Sequence, residues 1–382
     1  MEMQVGLPVR DQFRRRLKVL YIQPGTSSFA GIERVVDAVC TMLADRFSED
    51  FEVDVLYTSV HRNRPTETRG YNVIDRVAHG RLDLMRIFRN VIKSKDYNLV
   101  VVPQIEPTVI CMAACIGLNR RFAVHLHGNP KREADHLKAK ILFLLMRFYF
   151  LSRVSHVFGT SPRQLESFKE MFNSKIPQVW VPNPVRAFDL SETTSSAEAT
   201  GVVTFVNVGR FAFQKGQDIL LQAFSQLVKI RPNVRLRIVG YGAGESNLRS
   251  EISRLALDGS VSIEHHPTSP QPALATSDVY VSTSRWEGWS LAICEALRFG
   301  LPVVSTDCEF GPSDILVDPR LGRLVPASGG PALVEAMAYF CDNLSTEKSH
   351  SEFRKTFIDR YSPERVVEIH AQALRSAARA FA

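Results

Sequence analysis

Apolar runs of strand length alternate along this chain with segments whose apolar residues recur at helical spacing. In the first half, Leu17–Gln23, Phe51–Tyr57, Leu99–Pro103, Phe122–Leu126, Val154–Gly159 and Gln178–Val181 predict strands. They are apolar almost throughout, as strands of a parallel sheet covered by helices are. Turn-rich Val181-Pro-Asn-Pro-Val185 then leads into the polar stretch 189–200, the predicted linker or surface loop. A second series follows, with strands over Val202–Val208, Val234–Val239, Ser260–Glu264, Val279–Ser282 and Pro302–Ser305. Its helices are expected over Gly216–Lys229, Glu245–Leu257 and Ser290–Phe299. A last helix is expected from about Pro363 to Ala380, since Ser362 suits an N-cap and Pro363 the first helical position. The pattern predicts an α/β chain of two doubly wound halves, 1–185 and 186–360, followed by a C-terminal helix over 361–382 that packs back toward the first half. Ligands of such sheets bind beyond the carboxyl ends of the strands, so the loops there and the cleft between the halves are where chemistry is expected.

Composition narrows the class. With 382 residues, 45% apolar and 23% charged, the chain is globular rather than disordered. Its six Cys form no C-x-x-C pair and lie mostly in apolar segments, as reduced buried thiols do. Arg14, Arg15, Arg16 and Lys18 are followed only by the short apolar run Leu17–Ile22, which does not make a secretory signal, so the chain is expected to stay in the cytoplasm. No uninterrupted apolar stretch is long enough to predict a membrane span. The net charge of +7 is unevenly placed: residues 1–185 hold 27 Lys and Arg against 18 Asp and Glu, whereas 186–382 hold 20 against 22. The front half is therefore +9 and the back half −2. Such an excess fits a surface facing lipid headgroups, phosphorylated substrate or nucleic acid, or a solvated basic surface.

Four segments carry candidate chemistry. In Val206-Asn-Val-Gly-Arg-Phe-Ala-Phe-Gln-Lys-Gly216 a strand ends at Gly209 and throws out Arg210 and Lys215, two cations suited to a diphosphate or, taken alone, equally to a solvated basic loop. The spacing is not that of a Walker A loop. In Ser282-Thr-Ser-Arg-Trp-Glu-Gly-Trp-Ser290 and the helix after it, Glu287 lies in a loop beyond a strand. Glu295 lies on a largely apolar helix, where a buried acid needs a partner. Eight helical residues rise roughly 12 Å, which fits a glycosidase carboxylate pair poorly. Thr26-Ser-Ser-Phe-Ala-Gly-Ile-Glu33 is a small-residue loop that reads, taken alone, as an ordinary turn, or as a site where Gly31 lets a phosphate approach a helix start. It lacks the G-x-G-x-x-G of a dinucleotide fold. In Val124-His-Leu-His-Gly128, His125 and His127 share one strand face; His127, nearer the strand end, is placed to meet a ligand, and His125 reads as core. No third or fourth ligand accompanies them, so no metal site is expected.

Taken together these segments resemble the retaining glycosyltransferases of family 4, which have the GT-B fold of two Rossmann-like domains facing across a cleft. The carrying residues are Glu287 and Glu295 as a Glu-x7-Glu signature, Val208-Gly-Arg…Gln-Lys-Gly216, and Cys308-Glu-Phe-Gly-Pro-Ser-Asp-Ile-Leu316, similar to the sugar-site loop of bacterial members that build surface polysaccharides. The resemblance implies that Arg210 and Lys215 hold a nucleotide diphosphate, that Glu295 binds the ribose, that Glu287 contacts the donor sugar, and that His127 sits near the reacting centre. It also assigns Gly31, Gly209, Gly288, Trp289, Ser290, Leu291, Asn183 and Gly311 to substrate binding. It implies a nucleotide-sugar donor, UDP or GDP, with no cofactor or metal, and a glycan acceptor that is lipid-linked. Ala30-Gly31 in place of Gly-Gly, and Asp314 where Glu is frequent, depart from the family pattern.

Two alternatives accompany this reading: a nucleotide-sugar epimerase on the same scaffold, and a non-catalytic sugar-nucleotide binder. Nucleic acid is not an expected partner, since no aromatic-interleaved basic stretch occurs. The segment Ile141–Leu151, apolar around most of a helix and flanked by Lys138, Lys140, Arg147 and Arg153, reads either as a core helix with cationic stems at its edges or as an interfacial helix on an anionic membrane.

Overall fold

Strand β1, Leu17–Ile22, ends in four consecutive buried residues, because its neighbours on both sides and a helix on each face leave it no solvent. The computed structural model describes residues 16–379 apart from 24, 27, 28, 30, 62–63, 65–68, 134–136, 189–200 and 267–268. The predicted linker 189–200, Ala30 of the small-residue loop, the basic residues Arg14 and Arg15, and the end of the last helix at Ala380 lie outside the described residues. The first sheet continues through β2 Phe51–Tyr57, β3 Asn72–Asp75, β4 Leu99–Pro103, β5 Phe122–Leu126, β6 Val154–Gly159 and β7 Gln178–Trp180. The second holds β8 Val203–Val208, β9 Val234–Val239, β10 Val261–Glu264, β11 Val279–Ser282, β12 Val303–Asp307 and β13 Gly322–Pro326.

Both sheets are parallel throughout, in the orders β3-β2-β1-β4-β5-β6-β7 and β10-β9-β8-β11-β12-β13. Each order reverses direction beside its first strand, so the crevices open between β1 and β4 and between β8 and β11. Two such sheets, each flanked by helices, are the GT-B arrangement expected from the sequence. The helix Pro363–Arg379 returns to the first sheet: Val367, Ala371, Leu374 and Ala377 join its core against the helix Gly31–Arg46, while Val366 belongs to the core of the second. Arg375 pairs with Asp50 at 2.6 Å on that return.

The pattern did not reveal β3 or β13. Both are edge strands; β3 is half exposed along its length, and β13 starts at Gly322 and ends at Pro326, so neither shows an apolar run. The larger correction concerns Ile141–Leu151. An α-helix over Leu137–Leu145 continues as a π-helical turn over Met146–Phe150. Ala139, Phe143, Met146 and Phe150 face the core and Leu142 and Leu151 pack partly buried against it, but Leu137, Ile141, Leu144, Leu145, Phe148 and Tyr149 are exposed, so a core helix accounts for only one side of it.

Candidate functional site

The second sheet supplies the cationic wall. β8 ends at Val208, and Gly209 lies against the Lys215 side chain, where an added Cβ would stand 3.3 Å from its methylenes. A single 3-10 turn, Phe213–Lys215, then ends at Gly216. Gly216 has φ +61°, and a Cβ there would collide with the Thr283 carbonyl oxygen, so only glycine lets this loop lie against the end of β11. That contact sets Lys215 beside the β11 loop: its Nζ donates to Glu287 Oε1 at 2.6 Å, and Ser284 Oγ donates to the same oxygen at 2.7 Å. Arg285 locks the two loops further through Asp218 and the Phe213 carbonyl. Arg210, by contrast, is exposed, and among the described residues its guanidinium reaches Gln214 Oε1, at 3.4 Å.

Glu295 projects from the helix Leu291–Arg298, which Ser290 precedes as N-cap. Its residue is 9% exposed. Burial pushes its carboxyl above the usual range, against the pull of Arg186 and Arg34. Arg186 Nε lies 3.7 Å from Glu295 Oε1. The two acids of the Glu-x7-Glu spacing thus have separate cations, Lys215 for Glu287 and Arg186 for Glu295, and do not form a shared carboxylate pair.

The first sheet closes the opposite wall. His127 follows β5, buried, with neither ring nitrogen bonded among the described residues. Its ring centroid lies 3.9 Å from that of His125, the two rings tilted by 44°, and His125 lies 5.7 Å from His370 on the C-terminal helix. Burial holds His127 and His370 down at about 3, and lowers His125 as well. Gln104 orients the His127 loop. At φ +67°, an unfavourable conformation for a side chain of its size, it accepts from His127 N at 3.3 Å and Gly128 N at 3.4 Å. The two walls touch: a Cβ on Gly288 would collide with the His127 carbonyl oxygen. Asn129 bonds Glu309 across the same gap, and the Arg132 guanidinium sits 5.1 Å from the Trp286 ring.

Between the walls lies a cleft of about 1170 Å³. His127, Gly31 and Asn183 line it from the front and hinge. Gly209, Arg210, Lys215, Glu287, Gly288, Leu291 and Glu295 line it from the back. Trp289 borders the cleft, yet its ring packs against Tyr361 at 5.1 Å and Trp180 at 6.3 Å, joining the two domains. Ser290 and Gly311 stand behind the lining: Gly311, at φ +93°, lies close against Trp289 and Ser290. Asn183 Oδ1 is buried without a partner among the described residues. Arg186, Ser284, Gln104 and His370 escaped the sequence reading. The first is brought to Glu295 across more than a hundred residues, and the last to His125 across more than two hundred, and no local motif marks either. Glu133 is another such residue: its carboxylate accepts from Ile105 N at 2.9 Å, lines the cleft, and is pushed up to about 7 by burial. Among the described residues no group of three or more His, Cys, Asp and Glu is arranged to hold a metal ion.

Comparison with known proteins gives the same architecture. A crystal structure of Anabaena HepE in complex with UDP superposes with a TM-score of 0.77 over 94% of this chain and 100% of that one, at 19% identity, which establishes the fold. An uncharacterized glycosyltransferase of Methanocaldococcus jannaschii is 29% identical over 231 residues, 58% of this chain and 56% of the relative. The poly(ribitol-phosphate) alpha-N-acetylglucosaminyltransferase of Staphylococcus aureus is 28% identical over 163 residues, 42% of this chain and 33% of the relative. The chain thus spans from a third to just over half of the length of these two curated relatives. Residues 192–358, which contain the cationic wall and both acids, match the family model of glycosyl transferases group 1.

Proposed function

We propose that this protein is a glycosyltransferase that moves a hexose or N-acetylhexosamine from a nucleotide-diphosphate sugar to a glycan acceptor in bacterial surface-polysaccharide or lipopolysaccharide synthesis, with retention of configuration and without a metal. The observation that carries this reading is the Lys215–Glu287 pair at the mouth of the β8/β11 crevice, with Arg210 beside it and His127 facing it. Arg210 and Lys215 neutralise the diphosphate as its bond to the sugar breaks, which is where negative charge develops. The diphosphate competes with Glu287 for the Lys215 ammonium, leaving the Glu287 carboxylate to accept from donor-sugar hydroxyls. Glu295, kept near Arg186, accepts from the ribose. The acceptor oxygen attacks the anomeric carbon on the face the diphosphate leaves, a phosphate oxygen takes the acceptor proton, and configuration is retained. His127, held neutral by burial, borders the reacting centre without adding charge to the cationic sugar. The UDP in the HepE complex favours UDP as the nucleotide, and the name of the Staphylococcus aureus relative favours a polymer of the poly(ribitol-phosphate) kind as the acceptor; a lipid-linked glycan is the acceptor that the family resemblance implies. In this reading the front domain, 1–185, takes the acceptor and the back domain, 186–360, the donor.

Incubating the chain with UDP-, GDP- and ADP-sugars, with and without lipid-linked glycans, tests this by nucleoside diphosphate release. Release that acceptor accelerates, with the anomeric configuration preserved in the product, is expected; interconversion of the donor alone would indicate an epimerase instead. Lys215→Ala at saturating donor is expected to lower kcat by about 10²-fold or more. A near-normal kcat in that variant would remove Lys215 from the mechanism.

A further inference from the structure

The helix over Leu137–Leu145 and its π-helical continuation Met146–Phe150 have two apolar faces. At about 100° per residue, Ala139, Phe143, Met146 and Phe150 cluster on one side and are buried in the front-domain core. Leu137, Ile141, Leu144, Leu145, Phe148 and Tyr149 fall on the opposite side and are 43–77% exposed. Single exposed apolar residues are ordinary on a soluble surface, but six on one helix face form a contiguous patch that marks an interaction surface.

We propose that this outward face is a docking surface for an anionic lipid bilayer. Charge selects the occupant. On the helical wheel Lys140 and Arg147 fall along one edge of the apolar stripe and Lys138 within its other margin, between Leu145 and Tyr149, all three exposed. No acidic residue occurs in the sequence from Leu137 to Leu165. With the stripe immersed at the level of the acyl chains, the aliphatic stems of these cations lie along the interface and their charges meet the headgroups. A second copy of this chain fits less well, because a two-fold contact through the stripe sets like-charged edges of the two copies together. No helix among the described residues is long and apolar enough to cross a membrane, and the contact proposed here is made at the bilayer surface. The proposal rests on this helix alone and stands whether or not the transfer reaction above is correct.

Flotation of the full chain with phosphatidylcholine vesicles, with and without phosphatidylglycerol, tests it. Binding is expected to the anionic vesicles, to weaken at high salt through loss of the electrostatic part, and to be much lower on phosphatidylcholine alone. The double variant Ile141→Glu, Phe148→Glu, which removes only exposed apolar surface, is expected to lose about tenfold or more of that binding. Lys138→Gln with Lys140→Gln and Arg147→Gln is expected to lose the preference for anionic lipid. Neither variant touches the cleft, so acceptor-independent donor turnover and the melting temperature should stay unchanged, which separates failure of this proposal from failure of the reaction. Undiminished vesicle binding by the double variant would overturn the proposal. So would a concentration-dependent dimer in sedimentation that the same variant abolishes while vesicle binding is absent, since the stripe would then belong to a second copy.

Discussion

His125, His127 and His370 come from a strand, the loop after it and the last helix, and meet only because that helix returns to the first sheet. All three are held below the usual imidazole range by burial, His127 and His370 down at about 3 against a reference of 6.5. The unfolded chain therefore binds these protons below about pH 6.5 while the native state does not, so stability is lost as pH falls from 6.5 toward 3. At pH 5 His127 and His370 each cost roughly 2 kcal/mol. Thermal melts between pH 7.5 and 4.5 should show that decline, and His370→Phe should flatten it; an unchanged slope would show that His370 is already protonated in the native state. Residue identities of this kind were half legible. His127, Glu287 and Glu295 stand in recognisable surroundings, whereas His370 and Arg186 acquire their partners only through the chain's return and its hinge. No spacing rule reaches across those distances.

Elements were legible where their burial is one-sided or complete. The strands β1, β4, β5 and β8 are buried on both faces or nearly so, and their apolar runs say so directly. The helix Leu137–Phe150 is the instructive failure, since residues apolar on both sides leave no phase from which to tell core from surface. Loop geometry was legible only in part. Gly216 follows Lys215 in a recognisable motif, but its reason is the Thr283 carbonyl that lies against it at φ +61°. Gly216→Ala must strain the backbone or push the 213–216 turn off the β11 loop, at a cost of about 1–3 kcal/mol. A lowered melting temperature is expected together with a kcat loss, because Lys215 moves with the turn. Loss of stability with kcat intact would show that the turn does not position Lys215.

At the scale of the whole molecule, the positive excess and the donor cations lie in different domains. Arg210 and Lys215 belong to the half whose formal charge is −2, so they are no part of the +9 of the first half; Arg34, Arg69 and Arg132 of that half line the cleft, and Lys138, Lys140 and Arg147 lie on the outward-facing helix. The cleft needs both halves at once. Lys215 and Glu287 are back-domain groups, His127 is a front-domain one, and they face each other because Gly288 lets two backbones touch where any side chain would strike the His127 carbonyl. Gln164 Nε2, bonded to the Gly128 carbonyl at 2.7 Å, holds the front side of that contact. Gly288→Ala therefore separates two consequences that a fold-breaking change would merge. The nucleotide contacts assigned to Arg210, Lys215 and Glu295 lie within the back domain or hinge, and only that of Gly31 comes from the front, so UDP affinity measured by calorimetry should fall by no more than a few-fold, less than kcat does. Transfer requires the walls to close, so kcat should fall by about tenfold or more, as misplacement of reacting groups by an ångström does. An unaltered kcat would show that the domains reach the reactive arrangement without this contact, and a parallel loss of UDP affinity would place the nucleotide against the front wall instead.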